Sequence, residues 1–252
     1  MTKLIVSTGV TENYVPRAQE YIDSLAENCN ADETVVVNLG FEKTDYPEPV
    51  RGVYLDPEAV RQGSPVNCLQ HGGFLPAFED YDDDDVIFFT DADIKFQRPF
   101  DEGELEYLKG LKHGQVSVNW NWGPDQTLAE EWYRIGPAMR HEDQKILPAQ
   151  ELESLRCFNT GAVACTKKTW QDLYDKYSEL YPQVDLLFSH YAKQQLLLSY
   201  LIQKEFEFCL MPLYIHGHNH NNGLCWRMGY HFTEDEQHVA YQGKIIVLRH
   251  RM

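Results

Sequence analysis

Residues 82–100, DDDDVIFFTDADIKFQRPF, constrain this chain more than any other stretch. An aspartate-rich turn leads into the apolar run Val86–Phe89, which gives way to Asp91, Ala92 and Asp93. A short apolar run bounded by polar turn residues is the pattern of a strand buried on both faces. Two carboxylates one residue apart at the end of such a strand form a hard oxygen site. It suits Mg²⁺ or Mn²⁺ carrying a phosphate-bearing ligand. Open α/β sheets bind their ligands beyond the carboxyl ends of their strands. The segment therefore indicates both an architecture and the place of its chemistry.

The rest of the chain alternates in the same way. KLIVST, ETVVVNLGF, VYLD, VIFF, QVSVNWN, CFNTGAVACT, FEFCLMPLYIH and KIIVLRH read as strands, with CFNTGAVACT interrupted at Asn159, Thr160 and Gly161. PRAQEYIDSLAENC places Ala18, Tyr21, Ile22 and Leu25 at helical spacing, and KTWQDLYDKYSELY and YAKQQLLLSYLIQK read as further helices. Residues 65–81 are expected to be helical despite Gly72, Gly73 and Pro76. This alternation predicts an α/β fold with a mostly parallel central sheet covered by helices on both faces. One domain is expected over 1–252. Residues 1–118 form a ligand-binding half that ends with the strand after Asp93, and 119–252 form a second half containing an irregular insertion from about Asn119 to Glu153.

Composition removes several function classes. With 39 acidic against 22 basic side chains the formal charge is −17, which disfavours general nucleic-acid binding, since such proteins neutralise phosphates with Lys and Arg. No apolar run approaches the roughly 20 residues of a membrane span, and MTKLIVSTGV reads as a first core strand rather than a secretory signal. The 6 cysteines (Cys29, Cys68, Cys157, Cys165, Cys209 and Cys225) form no CxxC pair. Several lie in apolar runs, as expected of reduced, buried thiols in a cytoplasmic protein.

These segments, in this order, resemble the nucleotide-sugar-dependent glycosyltransferases of the glycosyltransferase-A fold. VSTGVTENYVPRAQEYIDSL is similar to that family's first strand, nucleotide loop and first helix. VIFFTDADIKFQRPF is similar to its Asp-x-Asp segment, CFNTGAVACTKKTW to its sugar-pocket strand and helix, and KIIVLRH to its late strand with a metal-ligating histidine. The resemblance covers most of the chain and points towards the retaining, galactosyl- or glucosyl-transferring branch. It implies that Asp91 and Asp93 hold Mn²⁺ or Mg²⁺ against the diphosphate, with His250 as third ligand. It also implies that Thr8, Gly9, Asn13 and Tyr14, with Asp91, hold the nucleotide. Asn159, Gly161, Gln194 and Gln195 would contact the donor sugar, and Asn159 and Gln194 would lie nearest the reacting carbon.

Each residue also has a plainer explanation. The aspartates could be a polar turn, Tyr14 an ordinary packing residue, and Gly161 a bulge glycine. His216, His218 and His220 compete with His250, either as a zinc cluster or, for His218, as part of an acceptor-side loop. Trp120 and Trp122 could line an acceptor cleft, as could Trp132 and Trp226, although most tryptophans pack in cores. Many relatives carry an acid where Gln194 and Gln195 stand. Its absence leaves the base unassigned, with Asp185 a distant substitute, and tilts the expectation towards retention.

The expected activity is therefore metal-dependent transfer of a hexose from a nucleoside-diphosphate sugar, UDP-linked, to the hydroxyl of a glycan or other acceptor. A nucleotidyltransferase of the same fold would need a glycine-rich basic loop after the first strand, where STGVTENYVPR offers Gly9 and Arg17. A non-catalytic sugar-binding protein would not need both carboxylates.

Overall fold

The computed structural model describes residues 2–58, 74–121, 123–135, 146–184, 190–219, 229–234 and 238–251, with backbone alone at 132–135, 190–192, 218–219 and 250–251. Seven strands make the central sheet: β1 (Leu4–Thr11), β2 (Glu33–Leu39), β3 (Val50–Leu55), β4 (Val86–Thr90), β6 (Gln115–Trp120), β7 (Phe158–Thr166) and β8 (Glu207–Leu210). β5 (Ile94–Phe96) lies outside it. The order is β3-β2-β1-β4-β7-β6-β8. All neighbours run parallel except β7, which is antiparallel to both β4 and β6.

Helices cover both faces, as the alternation predicts. On one face Ile5, Val35, Ile87 and Phe89 pack against Trp170, Leu173 and Tyr174 of α5 (Lys167–Leu180) and Leu197 and Leu201 of α6 (His190–Glu205). On the other, Leu4, Val6, Val36, Val86 and Phe88 meet α1 (Val15–Asn28) and Leu108 of α2 (Glu102–Lys109). The four apolar positions read from the α1 sequence, Ala18, Tyr21, Ile22 and Leu25, are its buried stripe. Two short helices, α3 (Leu128–Ile135) and α4 (Ala149–Ser154), occupy the irregular insertion.

Four local expectations are corrected. Residues 74–81 hold a single 3₁₀ turn, Leu75–Phe78, in place of the end of a helix over 65–81; residues 59–73 lie outside the described residues. CFNTGAVACT is one continuous strand through Asn159–Gly161. The irregularity sits in its pairing, where Ser117 opposes Ala164 but Asn119 opposes Asn159. FEFCLMPLYIH divides into β8 and β9 (His216–Asn219), with a turn at Pro212–Ile215 between them. KIIVLRH also divides. β12 (Lys244–Ile245) belongs to a three-stranded sheet with β10 (Tyr230–Phe232) and β11 (Val239–Tyr241), whereas β13 (Leu248–Arg251) lies between β5 and β9. The Gln97 side chain fills the junction, donating to the carbonyls of Val239 (3.3 Å) and Ile246 (3.1 Å) and accepting from the Val239 amide (2.8 Å). Hydrophobic patterning cannot reveal such a switch of partners, because the apolar run Ile246–Leu248 is buried across the junction.

Among the described residues Cys29, Cys165 and Cys209 are free thiols. Burial pushes the Cys29 thiol up to about 12, and raises Cys165 well above its ordinary value.

Candidate active site

Strand order alone locates a crevice. From β1 the sheet grows outwards through β2 and β3, and β4 returns to the other side of β1. β1 and β4 are therefore parallel neighbours from which the chain departs in opposite directions, a switch point that opens a cleft at their carboxyl ends. Ser7 pairs with Phe89. The next residues along the two strands are Thr8 and Gly9, which continue β1, on one and Thr90 and Asp91 on the other, so the end of β1 and the carboxylate segment meet there.

Asp91 is buried, at 6% exposure, whereas Asp93 is open to solvent. The Asp91 amide donates to the Gly161 carbonyl at 2.7 Å, and the Asp91 carbonyl accepts from the Ile94 amide at 3.1 Å, closing a tight turn through Ala92 and Asp93. Ala92 points into the apolar layer with Val6 and Phe88, so its small size serves packing. Beneath the turn, the Tyr21 hydroxyl of α1 bonds the Thr90 hydroxyl at 2.5 Å, and Thr90 donates to the Ser7 carbonyl at 3.3 Å. Ser24 of the same helix accepts from the Phe96 amide at 3.0 Å. Helix α1 thereby holds both sides of the carboxylate turn.

Tyr14, half-buried before the first turn of α1, lies within the field of both carboxylates. Burial raises its phenol above the ordinary value, the charges of Asp93 and Asp91 raise it further, and Arg17 opposes them. Asn13 is exposed and its side-chain oxygen is engaged by the Thr11 hydroxyl at 2.6 Å. The Thr8 hydroxyl is buried and has no hydrogen-bond partner. Gly9 has a packing reason: a Cβ there would come within 2.0 Å of the Phe74 ring.

Among the described residues no three His, Cys, Asp or Glu side chains converge on a metal position. Two carboxylates still fit a hard cation that completes its shell with phosphate oxygens and water, the usual arrangement of Mg²⁺. The backbone of His250 lies opposite Ile94 in the β5–β13 pair, one residue from Asp93. On its other side it pairs with His218. The side chains of both histidines lie outside the described residues, as do Trp122, Asp185, His220 and Trp226. His216 is fully buried, and its carbonyl accepts from Asn119 (2.7 Å) and from the Tyr230 hydroxyl (2.9 Å).

Asn159 is buried and is linked to the Asp91 turn through one residue, Gly161. Its side-chain oxygen accepts from the Gly161 amide at 2.9 Å, while the Gly161 carbonyl receives Asp91. Gln194 and Gln195, on α6, are 2% and 5% exposed. Gln195 lies 3.5 Å from a carboxylate oxygen of Glu131, an acid on α3 that the sequence did not single out. Trp120 is not brought to this group: its ring stacks on Phe158 at 5.3 Å, on the sheet face opposite Asn159. Tyr21, Thr90 and Glu131 were missed because their roles come from long-range contacts. One signal near Glu131 was legible, namely Thr127 and Glu130 in TLAE, which form the reciprocal N-terminal bonds of a capping box at α3 (2.9 and 3.1 Å).

No family model matches the chain, and no curated protein matches its sequence. Solved structures do match in fold. A galactosyltransferase, LgtC, determined in complex with donor and acceptor sugar analogues, superposes with a TM-score of 0.53 at 13% identity, over 98% of this chain and 86% of that one. The chain has the glycosyltransferase-A fold.

Proposed function

We propose that this chain is a metal-dependent glycosyltransferase that moves a hexose from a UDP-sugar to an acceptor hydroxyl, with retention of configuration. The observation that carries the reading is the place of Asp91 and Asp93 directly after β4, at the β1–β4 switch point of a glycosyltransferase-A fold. Tyr14, Asn13 and Thr8 would receive the base and ribose, the Thr8 hydroxyl finding there the partner it lacks. Asp91 and Asp93 would hold Mn²⁺ or Mg²⁺, with His250 as a further ligand. The cation supplies charge neutralisation to the departing diphosphate. Asn159, Gly161 and the Gln194–Gln195 amides would orient the hexose. Buried amides can fix a sugar's hydroxyls without taking a proton, which suits retention, where the departing phosphate accepts the acceptor's proton. His218, Trp120 and Trp122 belong to the acceptor side of the proposal. The buried thiols suit a reducing, cytoplasmic setting.

The test is a thermal-shift comparison of UDP, GDP and CDP with and without Mn²⁺, followed by UDP release from UDP-hexoses. A Mn²⁺-dependent shift specific to UDP, lost in Asp93→Ala, is the expected result. Equal shifts for all three nucleotides, indifferent to metal, would sink the proposal.

A further inference from the structure

The strongest feature outside the assigned groups is a line of buried and half-buried amides that starts at Glu131. Gln126 Nε2 donates to Glu131 Oε2 at 2.7 Å. Gln126 Oε1 lies 3.5 Å from Asn121 Nδ2, and Asn121 Oδ1 lies 3.5 Å from Asn159 Nδ2. Asn159 Oδ1 accepts from the Gly161 amide at 2.9 Å, and the other side of that residue, its carbonyl, receives the Asp91 amide at 2.7 Å. Glu131 is 1% exposed, Asn159 3% and Asn121 7%.

Every amide in this line points the same way, with nitrogen towards Glu131 and oxygen towards Gly161. The two ends dictate that direction. A carboxylate can only accept and a backbone N–H can only donate, so reversing any amide between them would set donor against donor or acceptor against acceptor. The second oxygen of Glu131 applies the same constraint to Gln195, whose Nε2 lies 3.5 Å from Oε1 and 3.7 Å from Cys157 Sγ. Glu131 sits in the first turn of α3, where its backbone amide donates to the Thr127 carbonyl at 3.2 Å and the helix N-terminus favours negative charge.

We infer that Glu131 is a positioning residue: through Gln126 and Asn121 it fixes which face of the Asn159 amide is presented at Gly161, beside the Asp91 turn. The inference deepens the proposed sugar site and rests on that reading for its consequence, but its geometry can be tested without turnover.

The test pairs Glu131→Gln with Gln126→Ala, which interrupts the same line at a half-buried position. Amide hydrogen exchange of Gly161 is read as a ratio to that of Val163 on the same strand, which cancels global destabilisation. The ratio is expected to rise at least fivefold in both variants. No rise in either, or a rise in Gln126→Ala alone, would overturn the assignment of Glu131; if Glu131→Gln does not fold, Gln126→Ala decides. In UDP-hexose turnover, kcat is expected to fall at least tenfold with UDP affinity within threefold, and Glu131→Gln is expected to add nothing to Asn159→Ala. Unchanged kcat in a folded Glu131→Gln would also overturn the inference. Absence of turnover in the unsubstituted protein would instead refute the proposed function and leave the exchange ratio to judge the line of amides.

Discussion

Arg98, two residues after β5, joins the carboxylate segment to the C-terminal strands, and its removal offers a quantitative test of that connection. Its guanidinium meets both oxygens of Glu104 at 2.7 and 2.6 Å, and its Nε donates to the Ile245 carbonyl at 2.5 Å. The side chains are 18% and 7% exposed, so this is a largely buried, bidentate pair rather than a surface one. Breaking a buried pair from one side costs about 3–5 kcal/mol. Arg98→Met should fall near the lower figure. Glu104 would still accept from the Asp101 amide at 2.9 Å and from Lys244 at 3.2 Å, which leaves its charge partly compensated. For a chain of this size about 3 kcal/mol corresponds to roughly 6–12 °C in Tm. The pH dependence follows from Glu104. Burial alone would raise its carboxyl, but the bonds from Arg98, the Asp101 amide and Lys244 outweigh burial and hold it below the ordinary value. A depressed folded value means the stabilisation is complete above the unfolded glutamate value of about 4.3 and is lost as pH falls through the lower folded value. The Arg98→Met penalty should therefore be full at pH 7 and shrink below about pH 4. Urea unfolding of the parent, Arg98→Met, Glu104→Gln and the double variant at both pH values measures it. A penalty under about 0.5 kcal/mol at pH 7, the range of ordinary surface substitutions, would refute the reasoning. So would double-variant losses that simply add.

Two further substitutions probe the crevice. Gly9→Ala must displace a Phe74 ring that is 3% exposed and whose atoms would lie 2.0–2.7 Å from the new Cβ, at a cost of about 1–3 kcal/mol; Phe74→Leu in the same chain should recover part of the lost Tm, and an unchanged Tm in Gly9→Ala alone would contradict the contact. Tyr21→Phe removes the 2.5 Å bond to Thr90 beneath the carboxylate turn and should cost about 1–1.5 kcal/mol in urea unfolding; a neutral result would mean that α1 does not hold the turn through this bond.

The sequence by itself determined what depends on local periodicity. Strands β1, β2, β4 and β6, the buried stripe of α1 and both long late helices follow from apolar spacing, because a strand or helix must bury one face whatever its neighbours are. The Asp91–Asp93 pair was legible for the same reason: hydrophobicity stops abruptly where β4 reaches the sheet edge. Tertiary structure decided pairing and proximity. The antiparallel run of β7, the division of KIIVLRH between two sheets and the face to which Trp120 turns depend on which strand lies alongside, and patterning is the same for either choice. Glu131 shows the limit most clearly. In TLAEEW it resembles any acidic residue in a first helical turn. What makes it significant is the burial of its carboxylate against Gln126 and Gln195, the latter brought there only when α6 packs beside α3. A buried acceptor-only group takes its meaning from its donors, and those are set by the fold.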